Sequence, residues 1–134
     1  AYAISAWLEF RRVLFRSGCG RIFEGTYEQM LASLEKIKKL PPKTKIYCGH
    51  EYTLQNSKFC ITYDGENQNL IKKIQEIKEK LTKNKPTIPS TLEEELKSNI
   101  FLRSNNDKIK INLNMSNSSS LVTFSKLRDL KDNF

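Results

Sequence analysis

Ile46-Tyr47-Cys48-Gly49-His50-Glu51-Tyr52-Thr53 is the stretch on which this chain turns. Ile46 to Cys48 is a short apolar run of the kind that makes a buried strand. Gly49 lets the backbone turn sharply and bring the next side chain to a strand end. That side chain is His50, the single histidine in 134 residues. A neutral imidazole so placed can ligate a metal or move a proton. The plainer alternative is a histidine that is only hydrogen-bonded or solvated.

Working back from this stretch, Leu40-Pro41-Pro42 stops a helix that Thr26 opens. Thr26 and Gln29 have capping-box spacing, and Met30, Leu31, Leu34 and Ile37 fall at helical intervals. Gly18-Cys19-Gly20 predicts a tight turn, and Arg21 to Gly25 a short loop. Residues 1–17 carry three arginines, have no clean period, and look foreign to the Lys-, Asn- and Ile-rich remainder. They are expected to be a non-native or divergent N-terminus, with a strand near Val13-Leu14-Phe15.

Working forward, a helix is expected from Tyr52 to about Tyr63, closed by Asp64-Gly65. Residues 67–83 make the strongest helical pattern, with Leu70, Ile71, Ile74, Ile77 and Leu81 on one stripe that reads as core packing. Pro86-Thr87-Ile88-Pro89 predicts an extended connector. Ser90 and Glu93 have capping-box spacing ahead of a short acidic helix, Leu92 to about Ser98. Residues 103–120 are polar and predict a mobile loop, after which Thr123 to Phe134 predicts a last helix. Arg128 and Lys131, three apart, then share a face; a solvated helix face is their ordinary explanation.

The formal charge is +8, from 23 Lys and Arg against 15 Asp and Glu, which favours anionic partners. Most of the lysines fit solvated helix faces. Three cysteines without CxxC spacing argue against a disulfide scaffold or a cysteine zinc site and suit a reducing compartment. No apolar run approaches the roughly 18 residues of a membrane span. A nucleic-acid binder remains a weaker alternative, because no known recognition motif accompanies the charge.

Four motifs occur in order: GCGRIFEGT at 18–26, YCGHEYT at 47–53, PTIPSTLEEE at 86–95 and RDLKDNF at 128–134. In this combination the chain, from about Leu14 to Phe134, resembles the C-terminal half of glyoxalase II, the hydroxyacylglutathione hydrolases. The resemblance implies an α+β fold. The last strands and helices of a metallo-β-lactamase αβ/βα sandwich would occupy 18–65, and a helical glutathione-binding domain 66–134. It implies hydrolysis of S-(2-hydroxyacyl)glutathione to glutathione and a 2-hydroxy acid such as D-lactate, the step that removes methylglyoxal. The family uses hydroxide on two divalent metal ions, zinc or alternatively iron or manganese.

By the same resemblance His50 matches the last histidine ligand, beside the substrate, and Tyr52 a tyrosine near glutathione. Arg21 stands where a glutathione-binding lysine is usual, a planar fork in place of a point donor. Phe23 replaces a common tyrosine and loses its hydroxyl. Arg128 and Lys131 match the basic pair that grips the glycyl carboxylate of glutathione.

The departures are large. The family's Thr-His-x-His-x-Asp-His motif and a further histidine are absent, and Arg12 holds the place of the bridging aspartate. One imidazole cannot hold two ions. The chain is therefore expected to be a fragment of a hydrolase, with no catalytic residue of its own and no pair of metals held. Its expected partner is a small glutathione thioester, with no nucleic acid and no membrane, from a monomeric parent in the cytoplasm or alternatively the mitochondrion. A non-catalytic binder of glutathione conjugates and another hydrolase of the metallo-β-lactamase type are the competing readings.

Overall fold

The structure, a computed structural model, describes residues 14–15, 18–19, 26–46, 53–87 and 90–134. Along the chain run β1 (Leu14–Phe15), β2 (Gly18–Cys19), α1 (Tyr27–Lys38), β3 (Lys45–Ile46), α2 (Thr53–Tyr63), α3 (Gln68–Thr82) and β4 (Ser90–Thr91). They are followed by α4 (Leu92–Ser98), a 3₁₀ helix (Ile100–Arg103), α5 (Asp107–Asn112) and α6 (Ser120–Asp132). Among the described residues the chain is mostly helical, with strand confined to two small antiparallel pairs, β1 with β2 and β3 with β4. The α+β expectation holds in that coarse sense.

The helices start where local chemistry starts them. The Thr26 hydroxyl accepts from the Gln29 N–H, and the Gln29 side chain accepts from the Thr26 N–H, so the expected capping box closes on α1. Asn67 caps α3 by accepting from Asn69 and Leu70. That helix ends on Asn84, whose φ is 54°. The N–H groups of Asn84 and Lys85 there return to the carbonyls of Leu81 and Lys80, a Schellman close.

The pairing of β3 with β4 sets Lys45 opposite Thr91 and Ile46 opposite Ser90. It continues into α4: Leu92 N–H donates to the Thr44 carbonyl at 2.8 Å and Glu93 N–H to the Pro42 carbonyl at 2.9 Å. These are first-turn donors that a helix cannot satisfy from within. A residue pair on either side of α2 and α3 thus anchors the entry to the C-terminal helices.

α1 packs on α6, and α2 on α3. One continuous core joins Leu34, Ile46, Phe59, Leu70, Phe101 and Phe124. Phe59 stacks on Phe101 at 5.8 Å between centroids, and Phe101 meets Phe124 edge-on at 6.1 Å.

Several expectations are corrected. Gly18 and Cys19 lie in β2, paired with Phe15 and Leu14, so they extend a ladder where a turn was expected. The capping box of α4 is Thr91 with Glu94, one residue later than Ser90 with Glu93. Ser90 is drawn into β4 and its hydroxyl donates to Glu95, which leaves Thr91 as the cap. The stripe of α3 buries Leu70 and Ile77 completely, yet Leu81 is 38% exposed because the helix outruns the core. The expected loop 103–120 contains α5, capped by Asn106 and closed by Asn114 at φ 57°. α6 begins at Ser120, with Ser119 as its cap, three residues before the expected Thr123. No helix among the described residues is long and apolar enough to cross a membrane.

Candidate functional site

Of the six residues singled out by sequence, Arg128 and Lys131 fall on α6 and are described. Arg21, Phe23, His50 and Tyr52 lie outside the described residues. The flanks of the His50 stretch are described: Ile46 at the end of β3, and Thr53, the first residue of α2. Thr53 is buried and its hydroxyl accepts from the buried Thr87 at 2.7 Å. The connector after α3 is thereby tied to the start of α2.

Arg128 and Lys131 are brought together over one group of rings. The Arg128 guanidinium carbon lies 5.2 Å from the centroid of Phe101. The Lys131 ammonium lies 5.9 Å from Phe59 and 5.7 Å from Phe134. Phe134 meets Phe59 edge-on at 5.4 Å. Both cations therefore sit within the range of a cation–π attraction, on rings that touch one another. The spacing of three residues achieves this because α6 turns the two side chains to one side.

The solvated helix face is not what the structure shows for Arg128, which is only 2% exposed. Its Nε and Nη2 both donate to Oδ1 of Asp132, at 3.1 and 2.8 Å. A guanidinium so far from water requires such a partner. The partner was missed in the sequence reading, although an Arg and an Asp four apart on a helix are the available signal.

A second acid of α6 is engaged elsewhere. The Tyr27 hydroxyl of α1 donates to Asp129 Oδ1. That bond raises the Tyr27 pKa above its ordinary 10.0, with partial burial and the Asp129 charge adding to it. It ties α1 to α6 and so sets how α6 is rotated about its own axis.

A separate buried polar cluster lies where α3, β4 and α4 meet. Lys73 Nζ donates to Glu95 Oε1 at 3.2 Å and to the Ser98 hydroxyl at 3.1 Å. Ser90 donates to the same Glu95 oxygen at 2.9 Å, and Asn99 Nδ2 donates to the other at 3.0 Å. Nearby, Asp64 accepts from Asn67 at 2.9 Å and from Arg103. Each of these groups spends its polar atoms on a neighbour, which makes the cluster a staple between elements.

Cys60, on α2, is a fully buried thiol, and burial pushes its pKa up to about 12. A thiol in that state is a poor nucleophile. Among the described residues no three His, Cys, Asp or Glu side chains form a group able to hold a metal ion.

The family described as hydroxyacylglutathione hydrolase C-terminus matches residues 51–134. A protein of Pelagibacter ubique named hydroxyacylglutathione hydrolase is 63% identical over 121 residues, covering 90% of this chain and 45% of that protein. Proteins of the same name from Bartonella tribocorum and Hyphomonas neptunium are 48% and 43% identical over 121 residues, each covering 90% of this chain. The chain spans about half the length of these curated relatives, 48% and 47% of the latter two. With its match running from the residue after His50 to the end of α6 and beyond, this chain belongs to the hydroxyacylglutathione hydrolase family.

Proposed function

We propose that this chain is the glutathione-binding half of a hydroxyacylglutathione hydrolase. The whole protein would cleave the thioester of S-(2-hydroxyacyl)glutathione to glutathione and a 2-hydroxy acid. The observation that carries the reading is the family match across α2 to α6, which ends on the two cations held over Phe59, Phe101 and Phe134. In this reading Arg128 and Lys131 serve the glycyl carboxylate of the peptide. Arg21, Phe23 and Tyr52 line the rest of it, and His50 lies beside the thioester.

Residues 18–65 would supply the end of a metallo-β-lactamase αβ/βα sandwich, and 66–134 the helical domain, with 1–17 foreign to both. The continuous core through Ile46, Phe59 and Phe101 supports the two parts packing as neighbours. The family's chemistry calls for two divalent ions. The donors of this chain do not fit them: it has one histidine, His50, and the described residues add no three-donor group. No step of hydrolysis is therefore assigned to a metal held by these residues. Their part is to bind and orient the peptide. The partner class is a small anionic thioester, with no nucleic acid or membrane, in a monomeric cytoplasmic parent; the mitochondrion is the alternative compartment.

The test is an assay of S-lactoylglutathione with the purified chain and added zinc, beside calorimetry with glutathione. No metal-dependent turnover and measurable glutathione binding are expected. Substantial turnover overturns the assignment of binding without catalysis. Absence of binding at millimolar glutathione overturns the assignment to a peptide-binding half.

A further inference from the structure

Asp132 is placed where helix physics gives it least support. It is the last residue of α6, where a negative charge opposes the helix dipole. It pairs with Arg128 in the order cation first, acid four residues later, the weaker of the two orders along a helix. Its Oδ1 accepts from both Nε and Nη2 of Arg128. Its side chain is 38% exposed, whereas that of Arg128 is 3% exposed. Asp132 is thus the solvent-facing half of the pair, and Arg128 the covered half.

We propose that Asp132 is a resident carboxylate that occupies Arg128 and gives way when the carboxylate of a bound peptide arrives. This rests on the glutathione reading above and makes Asp132 a specificity-determining residue for it. A carboxylate can repay the displaced bond, because it offers the guanidinium the same charge-assisted acceptor. An amide cannot, so the exchange selects ligands with a free carboxylate at that end. Lys131, on the adjacent rings, supplies the second positive charge for the newcomer.

The experiment compares glutathione with its glycine-amide form by calorimetry on the wild-type chain, Asp132→Asn and Asp129→Asn. Asp129 carries the same charge on the same helix but is held by Tyr27, so it controls for net charge alone. Removing the competitor in Asp132→Asn is expected to tighten glutathione binding by about threefold to fivefold. The amide form should be unaffected, and Asp129→Asn should not reproduce the gain. Equal gains in both variants, or no gain or a loss in a folded Asp132→Asn, overturn the exchange. A measurement on the wild type guards against a variant that fails to fold. The carboxyl carbon resonance of Asp132 should shift on adding glutathione and stay in place with the amide form; a static signal overturns the proposal. Wild-type chain that binds neither ligand overturns instead the glutathione reading on which it stands.

Discussion

Two of the cations buried among the described residues, Lys73 and Arg128, are held in opposite ways. Lys73 is 6% exposed and meets Glu95, which is fully buried. Their partners come from three elements, α3, β4 and α4, so the pair closes on itself with Ser90, Ser98 and Asn99. Arg128 is buried as deeply, but its acid lies on the same helix and reaches into solvent. The first arrangement can only hold elements together. The second leaves one partner exchangeable, beside another cation, on an aromatic floor. Burial of a charge alone does not mark a functional site; the nearer acid of Lys73, Glu95 at 3.2 Å, is itself fully buried, with the half-exposed Glu94 further off at 3.9 Å, whereas Asp132 at 2.8 Å from Arg128 is 38% exposed.

Breaking the closed pair should have the largest effect. Glu95→Ala takes from Lys73 its buried acid, leaving only the half-exposed Glu94 at 3.9 Å, removes an acceptor of Ser90 and of Asn99, and should cost about 3 kcal/mol, read by urea unfolding. A loss under 1 kcal/mol would mean that water reaches Lys73 and that the two regions are alike.

Phe101→Leu should cost less, about 1–2 kcal/mol, because leucine keeps the apolar contact and loses the ring under Arg128. The same variant should weaken glutathione binding, whereas an effect on stability alone would make the ring only part of the core. Lys131→Gln should change stability by no more than about 1 kcal/mol, the scale of an exposed cation–π contact. Its glutathione affinity should nevertheless fall several-fold, and unaltered affinity would remove Lys131 from the site.

The smallest effect is expected from Tyr27→Phe, below about 1 kcal/mol near neutral pH because the bond is largely open to water. The Tyr27 pKa is raised in the folded chain, so this contribution is fully present below pH 10.0. It is lost as the pH climbs through the raised value. The stability gap between wild type and Tyr27→Phe should therefore close only in alkali. A gap that closes in acid would point to Asp129 as the group in control.

Much of the framework was legible from local signals. The Thr26 and Gln29 box, the stop at Pro41-Pro42, the Asn67 start of α3 and the Leu70-to-Ile77 spacing each act within one or two helical turns. The Asp107–Asn112 helix was illegible for the opposite reason. Its Lys-Ile-Lys-Ile alternation carries no helical stripe, and its Asn106 and Asn114 ends resemble loop residues. The shift from Ser90 to Thr91 as the cap of α4 came from the partnership of β4 with β3, which pairs Ser90 with Ile46 and Thr91 with Lys45. No local pattern contains that contact.

For the site, sequence alone selected Arg128 and Lys131 and set them on one face, because a helix repeats every few residues. It also supplied the family likeness that the match over 51–134 bears out. Only the tertiary structure decided that Phe59, Phe101 and Phe134 lie beneath those cations, and that Asp132 rather than Asp129 answers Arg128. Phe59 and Phe101 come from distant parts of the chain, and their meeting is fixed by how α2, the 3₁₀ helix and α6 fill one core. Periodicity is a property of neighbours along the backbone, whereas the floor of this site is a property of packing.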